Sequence, residues 1–414
     1  MRVSSNIRRY PFFYTHILMK NILLILLLAC STMVSAKNFT FIIENPSKFD
    51  RPDQPVVLTG QQFGGAVPTG FPVAFLGKKQ IPIQADDLDR DGKVEELALT
   101  INLKALQKET LTLKFAAKPS KKVFPKRVNA QMFKKEGKVI TPIKEISSPT
   151  GNLYNNLQHH GPAFESEWMG YRFYFDKKQT IDVYGKKQPR LELAESLWYP
   201  NDSLLAKNYG DDILLVNSYV SVGTFKGWDG KKALHIEPVS NRTARILADG
   251  PVRTVVEMVS ENWQHQNQSV QMTTRAFLYA GHRDLEIVNY LSAADLAAQT
   301  YCTGVQKFPE MTAYNKDNVL AVWGRNWPVA DTVKYEKETV GLAVFCPEEI
   351  TKTTKCEDPD NFLYLLNGSP VIRYYATVSW KKQQGGVQTA QEFFNQLPQW
   401  KQSLVERVLV RPKR

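Results

Sequence analysis

The chain has 414 residues, of which 43% are apolar and 23% are charged, with 53 Lys and Arg against 41 Asp and Glu. These totals exclude an intrinsically disordered, collagen-like or low-complexity protein. Because aromatic rings and β-branched side chains suit a pleated, half-buried surface, the 11% of aromatic residues favours a sheet-rich protein over a helical bundle.

Residues 1–36 are predicted to be a secretory signal peptide. An apolar run from Asn21 to Ala29 is too short to span a bilayer comfortably, and it leads to the small-residue cleavage site that ends at Ala36. Met19 is a better candidate for the start of translation, so residues 1–18 are interpreted as an extension that was wrongly included in the coding sequence. Alternatively, Cys30 lies in a lipobox and carries an outer-membrane lipid anchor. Both interpretations predict an exported, periplasmic protein without a transmembrane span.

Removing the four basic residues of this signal leaves 49 basic against 41 acidic residues, a formal charge of +8. A basic surface favours polyanionic partners. The lysines are scattered and nucleic-acid motifs are absent, so an acidic oligosaccharide is a better expected partner than a nucleic acid. Of the three remaining cysteines, at most one pair can form, and Cys346 with Cys356 is the simplest candidate.

Residues 37–130 are expected to form a β-rich N-terminal part. Short alternating runs, beginning at Phe39, are separated by Pro, Gly and Asp turns, as is typical of an antiparallel β-sandwich. A Lys-rich connection over residues 118–150 leads into the second section, and the boundary is placed near residue 130.

Residues 131–414 are expected to form the body of the protein. Strand patterns follow one another with few intervening helices, which predicts antiparallel sheets. The strands between Gly250 and Gly281 are longer than those of a small immunoglobulin-like sandwich. Helices are expected at 191–205 and after the N-cap Thr389, the second broken near Pro398. The fold class predicted is therefore mainly β, with few helices.

An acidic loop is a candidate calcium site. Asp87, Asp89 and Asp91 alternate before Gly92, which permits a sharp turn, and this is how a loop wraps oxygen ligands around Ca²⁺. The loop lacks the closing Glu of an EF-hand, so Glu96 or its neighbour would have to complete the shell. A structural Ca²⁺ and an ordinary acidic turn both remain open.

The densest set of acid–base groups lies between residues 154 and 176. His159 and His160 occupy a turn beside Gly161, where a side chain can meet a substrate. Glu165 and Glu167 lie on one side of an extended segment. The alternatives are a hydrogen-bonded surface turn and two solvated carboxylates.

Arg172 alternates with apolar residues, so Arg172 and Tyr174 are expected to share one face of a strand while Tyr171 points the other way. A guanidinium beside a phenol suits a carboxylate ligand, although a packing arginine has the same pattern. Candidate sugar-binding residues are Glu165, Trp168, Trp323, Arg325 and Trp327. Trp198, Tyr199 and Trp228 are interpreted as core residues, and Asp211 and Asp212 as a turn. No esterase, nucleotide-binding or zinc-protease motif is present.

The runs at 159–168, 171–185, 209–212, 227–230, 302–307 and 332–341 resemble the domain-of-unknown-function family 4861 of secreted Bacteroidetes proteins. The resemblance extends from about Phe39 to the C-terminus. It implies a role in polysaccharide utilisation, in a family that includes dehydratases acting on the terminal uronate of ulvan-type oligosaccharides. The meander is also similar to the galactose-mutarotase-like supersandwich of mutarotases and several polysaccharide lyases, which completes the expected fold: an antiparallel β-supersandwich with a β-sandwich-like N-terminal part.

Elimination of the 4-hydroxyl group from a uronate needs a cation at the carboxylate, a base for the C5 proton and an acid for the leaving oxygen. Chemistry alone assigns Arg172 to the carboxylate, His160 as the base and Tyr171 or Tyr174 as the acid. His159 and Glu167 are expected to support them.

Three alternatives remain open. A metal held by His159, His160 and Glu165 could replace Arg172 as the group that neutralises the substrate carboxylate. Without such a metal, no cofactor is required. The protein could also be a sugar epimerase or mutarotase, or a glycan-binding protein without catalysis. The compact cluster of acid–base groups favours an enzyme over a glycan-binding protein, and the family resemblance implies a carbon–oxygen lyase.

Overall fold

The computed structural model describes residues 38–413. The predicted signal peptide and Cys30 lie outside these residues. Among residues 38–413, no helix has both the length and the apolar character needed to cross a membrane. The described chain is mainly β, and its strands pair antiparallel, as predicted.

The N-terminal sandwich consists of two small sheets. Its strands are β1 (Asn38–Glu44), β2 (Arg51–Thr59), β3 (Phe71–Leu76), β4 (Lys79–Ile81), β5 (Gln84–Asp86), β6 (Glu96–Leu103), β7 (Lys108–Ala116) and β29 (Leu409–Pro412), with the one-turn helix α1 (Gly60–Phe63) after β2. They are ordered β29-β1-β7-β3-β4 and β2-β6-β5. Alternate residues such as Phe41, Leu58 and Leu111 form its core. Because β29 pairs with β1, the sandwich contains both ends of the described chain.

A nine-stranded sheet, called here the large sheet, forms the centre of the body. Its strands are β11 (Glu145–Ser148), β18 (Asn241–Asp249), β19 (Arg253–His265), β20 (Gln268–Tyr279), β21 (Leu285–Ser292), β23 (Glu310–Lys316), β24 (Val319–Asn326), β25 (Glu338–Phe345) and β28 (Val371–Trp380). Their order is β11-β18-β19-β20-β21-β28-β25-β24-β23. β19 has 13 residues and β20 has 12, which confirms the long meander.

Two five-stranded sheets pack on one face of the large sheet. The first is ordered β15-β14-β13-β12-β8 and the second β17-β16-β22-β27-β26. Their strands are β8 (Val128–Gln131), β12 (Ala163–Ser166), β13 (Met169–Phe173), β14 (Ile181–Gly185), β15 (Asp211–Asp212), β16 (Lys226–Trp228), β17 (Ala233–Leu234), β22 (Thr300–Gln306), β26 (Thr351–Glu357) and β27 (Asn361–Asn367), and β9 (Phe133–Glu136) and β10 (Val139–Pro142) form a separate hairpin. Phe173, Met258 and Tyr301 represent the three sheets in one shared core.

The helices differ from the prediction in two places. Instead of one helix over 191–205, the chain forms α2 (Leu193–Ser196) and α3 (Asp202–Ala206), because the intervening Leu197 and Trp198 adopt left-handed φ values of 48° and 74°. The C-terminal helix α4 (Ala390–Val405) continues through Pro398. Burial of its Phe393 and Leu397 offsets the hydrogen bond that proline removes.

The candidate disulfide between Cys346 and Cys356 is not formed. Cys302, Cys346 and Cys356 of the described chain are free thiols. Burial raises the pKa of the Cys302 and Cys346 thiols well above their ordinary value. Both are therefore inert core side chains.

Candidate functional site

Arg172, Asp182 and Asp212 form a buried charge cluster at the centre of the candidate site. Arg172 on β13 lies directly opposite Asp182 on β14, so their side chains share one face of the sheet. Arg172 Nε donates to Asp182 Oδ2 at 2.8 Å, and Nη2 lies 3.2 Å from Asp212 Oδ2. All three side chains are almost completely buried, which makes the pairing essential for their charge.

The guanidinium of Arg172 has no N–H group to spare for a ligand. Nη1 donates to the Tyr199 hydroxyl at 2.8 Å and to the His159 carbonyl at 3.3 Å, and Nη2 also reaches the Tyr174 hydroxyl. Burial opposes the charge, but the Asp182 carboxylate and the nearby phenols raise the pKa of Arg172 well above its ordinary value. The contacts therefore disagree with the predicted role of Arg172 as the partner of a substrate carboxylate.

Trp198 closes the charge cluster from the opposite side. Its indole Nε1 donates to Asp212 Oδ2 at 3.1 Å, and the Arg172 guanidinium lies 4.2 Å from its ring centroid. Burial, with Asp182 nearby, raises the pKa of Asp212 well above its ordinary value, although Arg172 opposes this. Trp198 is fully buried, as predicted, but it orients a charged group as well as filling space.

His160 presents an imidazole nitrogen that has no protein partner. Its Nδ1 lies 2.9 Å from the Tyr154 carbonyl oxygen. Because a carbonyl only accepts, Nδ1 carries the proton and Nε2 keeps a lone pair. No group in residues 38–413 hydrogen-bonds Nε2. Burial lowers the pKa of His160, with the Tyr154 carbonyl opposing, so the ring is neutral at neutral pH and can accept a proton.

The backbone around this imidazole is strained. His159 and His160 have φ values of 61° and 62°, in the left-handed region that residues with a side chain rarely adopt. Leu197 and Trp198 on the facing loop share this feature. Strain of this kind persists where the surrounding structure fixes it, and it clusters at functional sites.

Two tyrosines offer hydroxyl groups with different hydrogen-bond roles. Tyr174 donates its proton to Asp182 at 2.7 Å and is buried. Tyr199 is 49% exposed, and its oxygen accepts from Arg172, which leaves its own proton free. Partial burial raises the pKa of Tyr199 while Arg172 opposes this, so the phenol is protonated at neutral pH. Its ring centroid lies 6.5 Å from that of His160.

Lys178 supplies a cation beside these rings. Its Nζ lies 5.0 Å from the ring centroids of both Tyr154 and Tyr174, and 3.2 Å from Asp176 Oδ2. The side chain is 20% exposed, whereas that of Arg172 is 3% exposed. Lys178 is therefore the more accessible of the two cations.

His159 points into the protein. Its Nε2 lies 3.2 Å from Gln131 Nε2, and its side chain is buried. Burial, together with Arg172, lowers its pKa to about 3. It stays neutral and supports the site through its carbonyl, which accepts from Arg172.

The structure does not bring together the residues of the alternative metal site. Glu165 is fully buried on β12, where it pairs with Lys186 and accepts from the backbone N–H groups of Glu192 at 2.8 Å and Leu193 at 2.9 Å. Its carboxylate is committed to the fold. Glu165 is therefore available neither as a ligand beside His159 nor as a sugar-binding residue.

Tyr171, Glu167 and Trp168 lie away from His160. Tyr171 faces the other side of β13, as expected, and its hydroxyl donates to the Arg283 carbonyl, so it is not the acid. Glu167 accepts from Arg127 and from the Gly281 N–H. The Trp168 ring lies 5.7 Å from the Arg283 guanidinium. Sugar binding by Trp168 stays a prediction.

The segment around β24 is divided between core and surface. Trp323 is buried and packs on Phe393 of α4 with ring centroids 5.7 Å apart, which makes sugar binding by Trp323 wrong. Arg325 is exposed, with Nη1 3.6 Å from Glu310. Sugar binding by Arg325 and Trp327 stays a prediction.

The acidic loop gathers oxygen atoms as expected, with one change of residue. One carboxylate oxygen each from Asp87, Asp89, Asp91 and Glu95 lies within 4.8 Å of the others. The predicted Glu96 instead pairs with Arg253 Nη2 at 2.6 Å. Hard oxygen ligands of this kind could hold Ca²⁺, and calcium binding stays a prediction.

Sequence reasoning missed Asp182, Asp212, Lys178 and Tyr199. The hairpin register opposite Arg172 was a usable signal for Asp182, since a buried arginine requires a carboxylate partner. Asp212 was interpreted as a turn and Tyr199 as core. Their approach to Arg172 depends on long-range packing, which no local pattern encodes.

The profile of the family described as "Domain of unknown function (DUF4861)" matches residues 43–410, and the chain belongs to this family. No curated protein matches the chain. Among solved structures, an alpha-mannosidase from Enterococcus faecalis V583 is similar with a TM-score of 0.45 and 11% identity over 96% of this chain and 48% of that one. A protein in Glycosyl Hydrolase Family 38 from Enterococcus faecalis is similar with a TM-score of 0.45 and 9% identity over 91% and 47%. This chain spans about half the length of both.

Proposed function

We propose that this member of the DUF4861 family is an oligosaccharide dehydratase that eliminates water across C4 and C5 of a terminal uronate. The observation that supports this most is the neutral imidazole of His160, whose Nε2 is unshared and whose ring stacks on Tyr154 and lies 6.5 Å from the Tyr199 ring between centroids. Proton abstraction beside a carboxylate needs a base that is unprotonated at neutral pH. The family resemblance supports the same reaction.

In the proposed step, His160 Nε2 removes the C5 proton. The electron pair of the C5–H bond forms the C4=C5 double bond, and the C4–O bond breaks. Tyr199 donates its proton to the departing hydroxide, which leaves as water. The Arg172 N–H at the Tyr199 oxygen stabilises the resulting phenolate, which regains a proton from the imidazolium through solvent.

Lys178 is our candidate for the cation at the substrate carboxylate. Loss of the C5 proton moves negative charge onto the carboxylate oxygens, and a nearby ammonium lowers the energy of that state. Lys178 is partly exposed, and within residues 38–413 Asp176 is its one carboxylate partner. Arg172 then acts as a positioning residue that holds Tyr199, Tyr174 and the two buried aspartates.

Export to the periplasm and an acidic oligosaccharide substrate complete the proposal. The positive formal charge of the chain without its signal is consistent with attraction of such a substrate. The substrate would lie over the exposed side of Tyr199, between His160 and Lys178.

The test incubates the purified protein without its signal peptide with a panel of uronate-terminated oligosaccharides. Ultraviolet absorbance reports the conjugated double bond, and mass spectrometry weighs the products. The proposal predicts rising absorbance with loss of one water and no chain cleavage. Cleavage products would indicate a polysaccharide lyase, and a changed configuration without absorbance would indicate an epimerase. Binding without turnover across the panel would indicate a glycan-binding protein.

A further inference from the structure

A second cleft, which we call the rear cleft, lies on the face of the large sheet opposite the shared core. On β20, Ala276 and Leu278 belong to that core, whereas Phe277 and Tyr279 point away from it and line the cleft. The N-terminal sandwich forms one wall and α4 the other. Its volume of about 1300 Å³ exceeds the roughly 300–1,000 Å³ of sites for drug-sized ligands.

Most arginines that line the rear cleft are already paired. Arg253 pairs with Asp86 and Glu96, Arg275 with Glu257, and Arg373 with Glu286 at 3.2 Å. These pairs join strands of the large sheet to each other and to the N-terminal sandwich. They are part of the scaffold rather than free binding groups.

Arg283 and Arg407 are different. Within residues 38–413, neither guanidinium makes a hydrogen bond or an ion pair, and both line the rear cleft. Arg283 is half-buried beside the Trp168 ring at 5.7 Å, and Arg407 is exposed just after α4. The lining also carries six acidic side chains, and five of them pair with a cation: Asp50 with Lys104, Asp53 with Arg127, Glu96 with Arg253, Asp284 with His282 and Glu286 with Arg373. The sixth, Glu392, accepts from the Gln388 N–H. Each of the two unpaired guanidinium groups can hold a carboxylate of a ligand with two hydrogen bonds.

Aromatic side chains complete this surface. Trp168 and Tyr375 line the rear cleft, and Trp400 is held in place by its Nε1, which donates to Asp284 at 3.2 Å. A large ring gives a flat apolar face, and the apolar face of a sugar can cover it. Arginines beside rings match a chain that alternates sugar faces with carboxylates.

We propose that the rear cleft binds an acidic oligosaccharide, with sugar carboxylates on Arg283 and Arg407 and a sugar face on Trp168. The ligand class is that of the proposed function, but this binding uses neither His160 nor any elimination step. The cleft would hold the protein on a polymer while a chain end reacts elsewhere.

Isothermal titration calorimetry with oligogalacturonate tests this, using the protein without its signal peptide and with His160→Gln so that no turnover disturbs the heats. Neutral galactose oligomers of equal length serve as the ligand control. Arg283→Gln and Arg407→Gln are compared with Arg411→Gln, an exposed arginine on β29 outside the cleft. Circular dichroism verifies that each variant is folded.

Loss of a charge-assisted hydrogen bond should weaken oligogalacturonate binding about tenfold in each cleft variant. Arg411→Gln should bind as its parent does, neutral oligomers should bind far more weakly, and added salt should reduce affinity. Unchanged affinity in both cleft variants, or no binding of oligogalacturonate by the parent, would overturn the proposal. Turnover of the uronate panel by the wild-type protein is measured separately, so the two proposals can fail independently.

Discussion

The Nδ1 atom of His160 lies 2.9 Å from the carbonyl oxygen of Tyr154, and the two rings stack in parallel at a centroid distance of 3.8 Å. The hydrogen bond fixes the tautomer and the stack fixes the plane of the imidazole. Both hold Nε2 in a single direction, as a proton acceptor requires.

Replacement of His160 by Gln should lower the turnover of a uronate oligosaccharide by roughly 10²–10⁴-fold, because a positioned base is lost. Since the side chain is only partly buried, the thermal unfolding midpoint should change little. Steady-state kinetics and thermal melts measure the two effects. His235, a partly buried histidine directly after β17, provides the matched control, and His235→Gln should keep full activity. Equal loss in both variants would argue against His160 as the base.

The pH profile of kcat/KM should reflect the lowered pKa of His160. A base must be deprotonated to act, so the rate falls as pH falls through its pKa. Burial places that pKa below the ordinary value of about 6.5. The profile should therefore be flat near neutrality and decline only on the acidic side of that value. An acid limb centred above it would contradict the assignment.

Replacement of Tyr199 by Phe should reduce turnover by about 10²-fold or more, since the proton donor is lost while the ring remains. Tyr154→Phe is the matched control, because it keeps the stacked ring on His160 and removes a phenol without a proposed catalytic role. Comparable kcat values for Tyr199→Phe and the wild type would remove Tyr199 from the mechanism.

Replacement of Arg172 by Met should destabilise the fold by about 3–5 kcal/mol, because Asp182 and Asp212 would be left as buried, unpaired carboxylates. Chemical denaturation measures the free energy of unfolding. If stability were retained and only the KM for acidic substrates rose, Arg172 would bind the substrate directly, as the sequence had predicted.

His282 should make stability depend on pH. Its Nδ1 lies 2.9 Å from Asp284 and its Nε2 lies 2.8 Å from the Asp53 carbonyl, so both nitrogens face acceptors and the imidazolium fits best. Burial opposes the charge, but Asp284 raises the pKa of His282 above its ordinary value. The stabilisation is complete below about pH 6.5 and is lost as pH rises through the raised pKa.

Denaturant titrations from below about pH 6.5 to above the raised pKa of His282 should show the free energy of unfolding falling as pH rises. His282→Gln should have a smaller slope. If the free energy of unfolding changed equally with pH in the two proteins, the contacts of His282 with Asp53 and Asp284 would not stabilise the packing of the N-terminal sandwich on the large sheet.

The fold class was predictable because it depends on local patterns. Alternation along Phe39–Thr–Phe–Ile–Ile and the long runs of β19 and β20 specify strands whatever their partners. The return of β29 to β1 was not predictable, since the pairing joins opposite ends of the described chain. The helix through Pro398 was missed because tertiary burial of Leu397 outweighs the local preference.

The site was predictable only in part. The segment with His160, Arg172 and Tyr174 was found because several acid–base types lie close together in sequence. Whether an arginine is free or paired depends on which side chains the fold places beside it. Asp212, which pairs with Arg172, lies 40 residues further along the sequence. Tyr199 and Lys178 gained their significance only through the fold, which places Tyr199 near the His160 ring and Lys178 near the Tyr154 ring.

The most direct test of the account uses a uronate-terminated oligosaccharide deuterated at C5. With the wild-type protein, elimination by His160 predicts a product that has lost the C5 deuterium and the 4-hydroxyl group, together one HOD, at a slower rate than the unlabelled substrate loses water. The His160→Gln variant should leave the labelled substrate intact. A product that keeps the C5 deuterium, or one that exchanges it without losing water, would contradict the proposed dehydratase.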